Sequence, residues 1–259
     1  MNFTRAFVLA TNVFREVVRD RILYIIGLYA AIVAAAMYLL PQFAASTEGK
    51  MLPDFGLAAM SAIGTIVAIF VGTGLVNKEI EKRTILMLIA KPVTRSEFIA
   101  GKFLGLSAVL TVLVAAMTAI FLGCMLFAKI PYSLPSITLA SVFLLLQLCL
   151  LGAVAIGMGV FTSSLLATAL TFGIYLMGNI TQDLLKLGSL SQNLGIERLT
   201  QALYLILPDL SRLDLKNEAV YGLQALPNSS TLLTSASYSV LYSVMLLAIS
   251  ILIFSKREF

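Results

Sequence analysis

Long apolar stretches without a single formal charge constrain this chain more than any other feature. Residues 22–40, 56–76, 103–127, 137–161 and 236–254 contain no Asp, Glu, Lys or Arg. Each is about as long as the ~20 residues that a helix needs to cross a hydrocarbon core of about 30 Å. One charge at the centre of such a helix costs ~2.5–3.5 kcal/mol on insertion, so its repeated absence carries information. A sixth segment, 166–186, is apolar at first and then turns polar at Asn179, Thr181, Gln182, Asp183 and Lys186. It is expected to surface, tilt or break there.

Composition excludes the soluble alternative. The chain is 59% hydrophobic and 12% charged over 259 residues, about half the charged fraction of an ordinary soluble domain. In lipid the backbone must satisfy its own hydrogen bonds, so spanning structure is helical or a closed barrel. Barrel strands would alternate apolar and polar residues over ~10 positions. These runs do not alternate. The expected fold is an all-α membrane protein with six transmembrane helices preceded by an amphipathic interfacial helix. In outline, residues 1–21 form the interfacial helix and 22–259 the six-span domain, with a loop at 77–102 and an outer segment at 187–235.

Orientation follows the basic residues. With the N-terminus cytoplasmic, 12 of the 18 Lys and Arg fall on the cytoplasmic side, including Arg5, Arg15, Arg19, Lys82, Arg83 and Arg95. This positive-inside bias predicts both termini in the cytoplasm. In the first 21 residues, Phe3, Phe7, Ala10, Phe14 and Val17 recur at helical spacing, with Arg5, Asn12, Glu16 and Arg19 largely opposite. That pattern predicts a helix lying in the interface, arginines toward headgroups. Pairs of small residues four apart, Gly64/Ala68, Ala153/Gly157 and Ala155/Gly159, predict close helix approach within the bundle or at a dimer seam. Gln147 and Asn179 are expected to bond between helices. The segment 187–235 reads as short amphipathic helices on the outer face.

Chemistry on the chain itself is not expected. Histidine is absent, which removes the usual metal ligand and neutral-pH proton shuttle. Cys124 and Cys149 lie inside apolar runs as small hydrophobes. No nucleophile has an evident base, no metal cluster is spaced for binding, and a G-x-x-x-x-G-K-[ST] phosphate cradle is missing. The net charge of +5 reports topology rather than nucleic-acid binding. Carriers that run on ion gradients place ionisable groups inside the bilayer, and five of the six spans have none. An external energy source is therefore favoured over a secondary transporter or channel.

The stretch between the second and third spans is the most informative. Asn77-Lys78-Glu79-Ile80-Glu81-Lys82-Arg83 is dense in charge, Thr84 to Ala90 is mostly apolar (Leu86 and Leu88 among them), and Lys91-Pro92 breaks the run. Pro92 disfavours helix at Lys91. Thr94 and Glu97 have capping-box spacing, so a new helix is predicted to start there. A charged helix with an apolar face suits docking on a soluble partner: the face fits a groove and the charges set register. A loop that only anchors topology is the alternative reading.

In this stretch Glu79, Thr84, Pro92, Arg95 and Gly101-Lys102 resemble, in order and spacing, the cytoplasmic segment of ABC-2-type transporter permeases, the membrane subunits of ATP-binding-cassette exporters. Arg19-Asp20-Arg21 and the Pro208-to-Arg212 run are similar to the subgroup related to copper-enzyme maturation and gliding-type transporters. Many ABC-2 members carry Gly where this chain has Arg83. The resemblance implies an ABC-2 (type V exporter-like) transmembrane domain. It implies two permease copies around a path and a separate cytoplasmic P-loop ATPase that binds ATP and Mg, so no cofactor is expected on this chain. It also implies an ATPase-coupling interface of Glu79, Glu81, Lys82, Arg83, Thr84, Leu86, Leu88, Lys91, Pro92 and Arg95, with Arg15 and Arg19 from the N-terminal helix. An outer-face accessory protein is a further partner that such systems make plausible, by analogy only.

Overall fold

A computed structural model describes residues 3–43, 48–81, 94–190 and 193–256. Among them the chain is all helix and turn, with no strand. Helix α1 spans Phe3–Val17, and a π-helical turn at Val18–Ile22 joins it to α2, Leu23–Phe43. Then follow α3 (Glu48–Glu81), α4 (Arg95–Ala128), α5 (Leu134–Phe161) and α6 (Ser164–Leu190). Two short helices, α7 (Leu194–Ile206) and α8 (Lys216–Val220), lie in the outer segment with two 3-10 turns, and α9 (Ser229–Lys256) closes the chain.

Six of these helices (α2, α3, α4, α5, α6 and α9) are long and apolar enough to cross a bilayer. α5 is the central one: 72% of its spanning window is buried, against 17–22% for α2, α6 and α9. The core is built where α3, α4 and α5 meet, around Met60, Leu106, Leu110, Met117, Leu148 and Leu151, all fully buried. The outer helices expose Leu23, Tyr24, Leu165 and Leu241. Water would oppose that surface at about 25 cal/mol per Å2, and hydrocarbon does not.

Small residues set the close approaches. A Cβ on Gly159 of α5 would lie 3.1 Å from the Thr73 carbonyl oxygen of α3. Gly157 faces Ser250 of α9 in the same way. The small-residue pairs on α5 therefore serve packing within the bundle. Gln147 of α5 donates to the Asn179 side chain of α6 at 3.4 Å, the interhelical bond expected of them.

The segment 166–186 was expected to surface, tilt or break at its polar half, and of these breaking is not seen. Instead, α6 continues as one helix to Leu190. Two of its polar residues, Thr181 and Gln182, bond to Asp209 of the segment 187–235, and Leu210, Leu213, Leu215 and Ala219 of that segment are buried. The Leu210 amide donates to the Gly178 carbonyl at 3.0 Å.

Candidate functional site

The stretch 77–102 resolves into two helix ends. Residues 77–81 finish α3 and 95–102 begin α4. Lys82, Arg83, Thr84, Leu86, Leu88, Lys91 and Pro92 lie outside the described residues, as does the side chain of Glu81. The start of α4 is the capping box read from the sequence. The Thr94 amide donates to Glu97 Oε2 at 3.0 Å, and the Glu97 amide donates to Thr94 Oγ1 at 3.3 Å. Two amides that the first turn would leave without partners are thereby satisfied.

From that start, one face of α4 presents Arg95, Phe98 and Lys102, spaced three and four apart. Lys102 forms an ion pair with Glu79 of α3, with its side chain 7% exposed and that of Glu79 25%. Lys102 Nζ also sits 5.5 Å from the centre of the Phe98 ring. Phe98 stacks on Phe254 of α9, centroids 5.6 Å apart and planes 13° from parallel. Arg95 lies over the other end of this stack, 5.8 Å from the Phe254 ring, and donates to the carbonyls of Phe254 and Ser255. Those carbonyls belong to the last described turn of α9. The run Glu79–Lys102–Phe98–Phe254–Arg95 therefore ties the second, third and last spans together at one end of the bundle.

The N-terminal helix joins the same corner. Ala6, Ala10 and Val13 are buried and face Gly101 and Gly105 of α4. A Cβ on Gly101 would stand 2.7 Å from Leu9 Cβ, and one on Gly105 would stand 2.9 Å from the Ala10 carbonyl oxygen. Only glycine admits α1 at this distance. The sequence reading had α1 amphipathic, and this packing adds a docked face to it. Phe7 is 70% exposed, and the docked stripe is Ala6–Ala10–Val13, because contact with glycines selects small residues over aromatic ones. Arg15 and Arg19 are exposed at the far end of α1 and in the π turn, and neither joins the Glu79–Lys102 pair.

The residues that organise this corner were only partly named as site residues by the sequence. Lys102 and Gly101 appeared as a motif without a role, and Gly105, Asn77 and Phe254 were missed. The Gly101/Gly105 spacing was the available signal. Asn77 is buried and donates to the Thr73 carbonyl at 3.2 Å, while Thr73 Oγ1 lies 3.1 Å from Thr168 Oγ1 of α6. The end of α3 is thus held by polar bonds as well as by packing.

A second polar cluster occupies the opposite end. Asp209 is buried and accepts bonds from Thr181 (3.4 Å), Gln182 (3.2 Å), Ser211 (2.6 Å) and Arg212 (2.8 Å). Its amide donates to the Tyr238 hydroxyl at 2.9 Å. Burial pushes the Asp209 carboxyl up, but the bonds from Ser211, Arg212 and Gln182 and the guanidinium charge outweigh it and hold the group below the usual aspartate range. Pro208 to Arg212 is therefore a latch that fastens the outer segment to α6 and α9.

Six apolar helices of spanning length, one of them buried at the centre of the bundle, define a multi-pass membrane protein. A family model described as ABC-2 family transporter protein matches residues 7–259. The chain belongs to the ABC-2 transporter family and is a permease component of that class. No curated protein matches the chain.

Proposed function

We propose that this chain is the permease subunit of an ABC exporter, driven by a separate ATPase that docks on the loop between α3 and α4. The observation that supports this reading most is the Glu79–Lys102–Phe98–Phe254–Arg95 run. Both ends of the loop are fastened to the spans that would have to move. A displacement of the loop by a closing ATPase pair is then carried into α3, α4 and α9 together, and through Gly101 and Gly105 into α1. Without those ties the loop would yield and the motion would be lost.

In this account ATP and Mg are bound by the partner. Glu81, Lys82, Arg83, Thr84, Leu86, Leu88, Lys91 and Pro92 form the docking surface, and Arg15 and Arg19 flank it. The path forms between two copies of the chain or between it and a related permease. The α1 end of the bundle faces the cytoplasm, with both termini on that side, and the outer segment faces away from it in the cell membrane. The runs Arg19-Asp20-Arg21 and Pro208 to Arg212 favour the maturation or gliding-type subgroup. Its members make an outer-face accessory protein, and mechanical work on it, part of the same proposal.

The test is co-purification followed by ATP hydrolysis in proteoliposomes. The chain should carry a P-loop ATPase encoded beside it. Charge reversal at Glu79 or Glu81 should weaken that complex or separate hydrolysis from transport. A chain that transports without any ATPase would refute the proposal.

A further inference from the structure

A cleft of about 270 Å3 opens beside the Glu79–Lys102 pair, between the α1–π turn–α2 run and α3. Its size is at the low end of small-ligand pockets. Its lining is divided. Four charged side chains, Glu16, Lys78, Glu79 and Lys102, stand at one end. The remainder is apolar, with Ile25, Ile66, Phe70 and Val71 along the walls. Ile66 and Phe70 are 55% and 64% exposed, so the apolar wall continues outward onto the exposed surface of α3. A site polar at one end, apolar along its length and open to the bilayer fits an amphiphile.

The charges narrow the class of headgroup. Glu79 and Lys102 neutralise each other. Glu16 and Lys78 are exposed, and neither has an ion-pair partner among the described residues. Among the described residues, one carboxylate and one ammonium thus line the cleft and can face a ligand. Lysine binds phosphate as a point charge, and a carboxylate accepts from an ammonium N–H. We propose that this cleft holds a phospholipid with a phosphoethanolamine headgroup, phosphate toward Lys78 and amine toward Glu16, its acyl chains running along Ile66 and Phe70. A quaternary ammonium headgroup has no N–H for Glu16, and an anionic headgroup has no positive charge for it. The site is independent of what docks on the neighbouring loop.

The test uses the full chain in detergent micelles with photoactivatable phosphatidylethanolamine, phosphatidylcholine and phosphatidylglycerol, each labelled in the acyl chain. Cross-linked peptides are then mapped. The ethanolamine lipid should label the 66–78 region most strongly. E16Q should lower that labelling roughly tenfold, the loss of one charge-assisted hydrogen bond, and E16K should turn the preference toward phosphatidylglycerol. G74L should abolish labelling by filling the cleft, since a Cβ at Gly74 meets only the Lys78 side chain, at 3.7 Å. Excess water-soluble phosphoethanolamine should leave labelling intact. Equal labelling by the three lipids, labelling indifferent to E16K and G74L, or complete competition by the soluble headgroup would each overturn the proposal.

Discussion

Lys102 of α4 reaches Glu79 of α3 in an ion pair that is nearly shielded on the lysine side, with 7% of its side chain exposed. Breaking such a pair from one side leaves a charge buried without compensation, which costs more than the pair contributes. E79A should therefore lower stability by about 1–3 kcal/mol, discounted from the fully buried case because Glu79 is partly exposed. The reversed pair E79K/K102E should recover much of the loss. Thermal unfolding in detergent reads both, and equal loss in the single and double variants would contradict the pairing.

Arg95 donates to the Phe254 and Ser255 carbonyls in the last described turn of α9. R95A should raise hydrogen exchange in residues 252–256 while leaving the middle of α9 unchanged. R95K should restore only part of the protection, because an ammonium lacks the planar fork that serves two carbonyls at once. Exchange unchanged in R95A would remove the arginine from this role.

Gly105 allows α1 to dock, since a Cβ there would stand 2.9 Å from the Ala10 carbonyl oxygen. G105V should displace α1 at a cost of about 1–3 kcal/mol, the usual range for overpacking. Hydrogen exchange should rise in residues 6–17 and not in α5. Protection of α1 equal to that of the parent chain would show that the helix is held elsewhere.

Asp209 is held below the usual aspartate range by its bonds to Ser211, Arg212 and Gln182, against the opposing effect of burial. A group whose folded pKa is depressed adds stability above its unfolded value, near 3.9, and loses it as pH falls through the folded value. The parent chain should therefore lose thermal stability as pH drops below about 4. D209N should be less stable at neutral pH and should lose less on acidification. Limited proteolysis between residues 207 and 228 should report the released outer segment, and identical acid profiles for the two chains would contradict the latch.

Much of this fold was legible because lipid restricts the options. Charge-free runs of spanning length leave little besides helices, and Thr94–Glu97 marked the start of α4 because a capping box is local chemistry. What could not be read were relations between distant segments. The segment 166–186 was expected to surface, tilt or break from Asn179 onward, because the partner of Thr181 and Gln182, Asp209, lies 27 positions beyond Gln182. The docked face of α1 was not read, because hydrophobic periodicity ranks Phe7 above Ala6, whereas contact with Gly101 and Gly105 rewards small size. Phe254 joined the corner only through tertiary stacking on Phe98. Glu79, Arg95, Gly101 and Lys102 were visible as a family-like pattern, and their roles emerged only with the helices in place.

The central claim is that a P-loop ATPase docks on the loop between α3 and α4. A photo-cross-linking amino acid placed at Leu86, in membranes expressing the chain with its neighbouring genes, tests it most directly. The account predicts a cross-link to the ATPase whose yield changes when ATP is added, with none from the same probe at Lys129 on the other side of the bundle. Equal cross-linking from both positions, or only lipid adducts at Leu86 while transport continues, would contradict it.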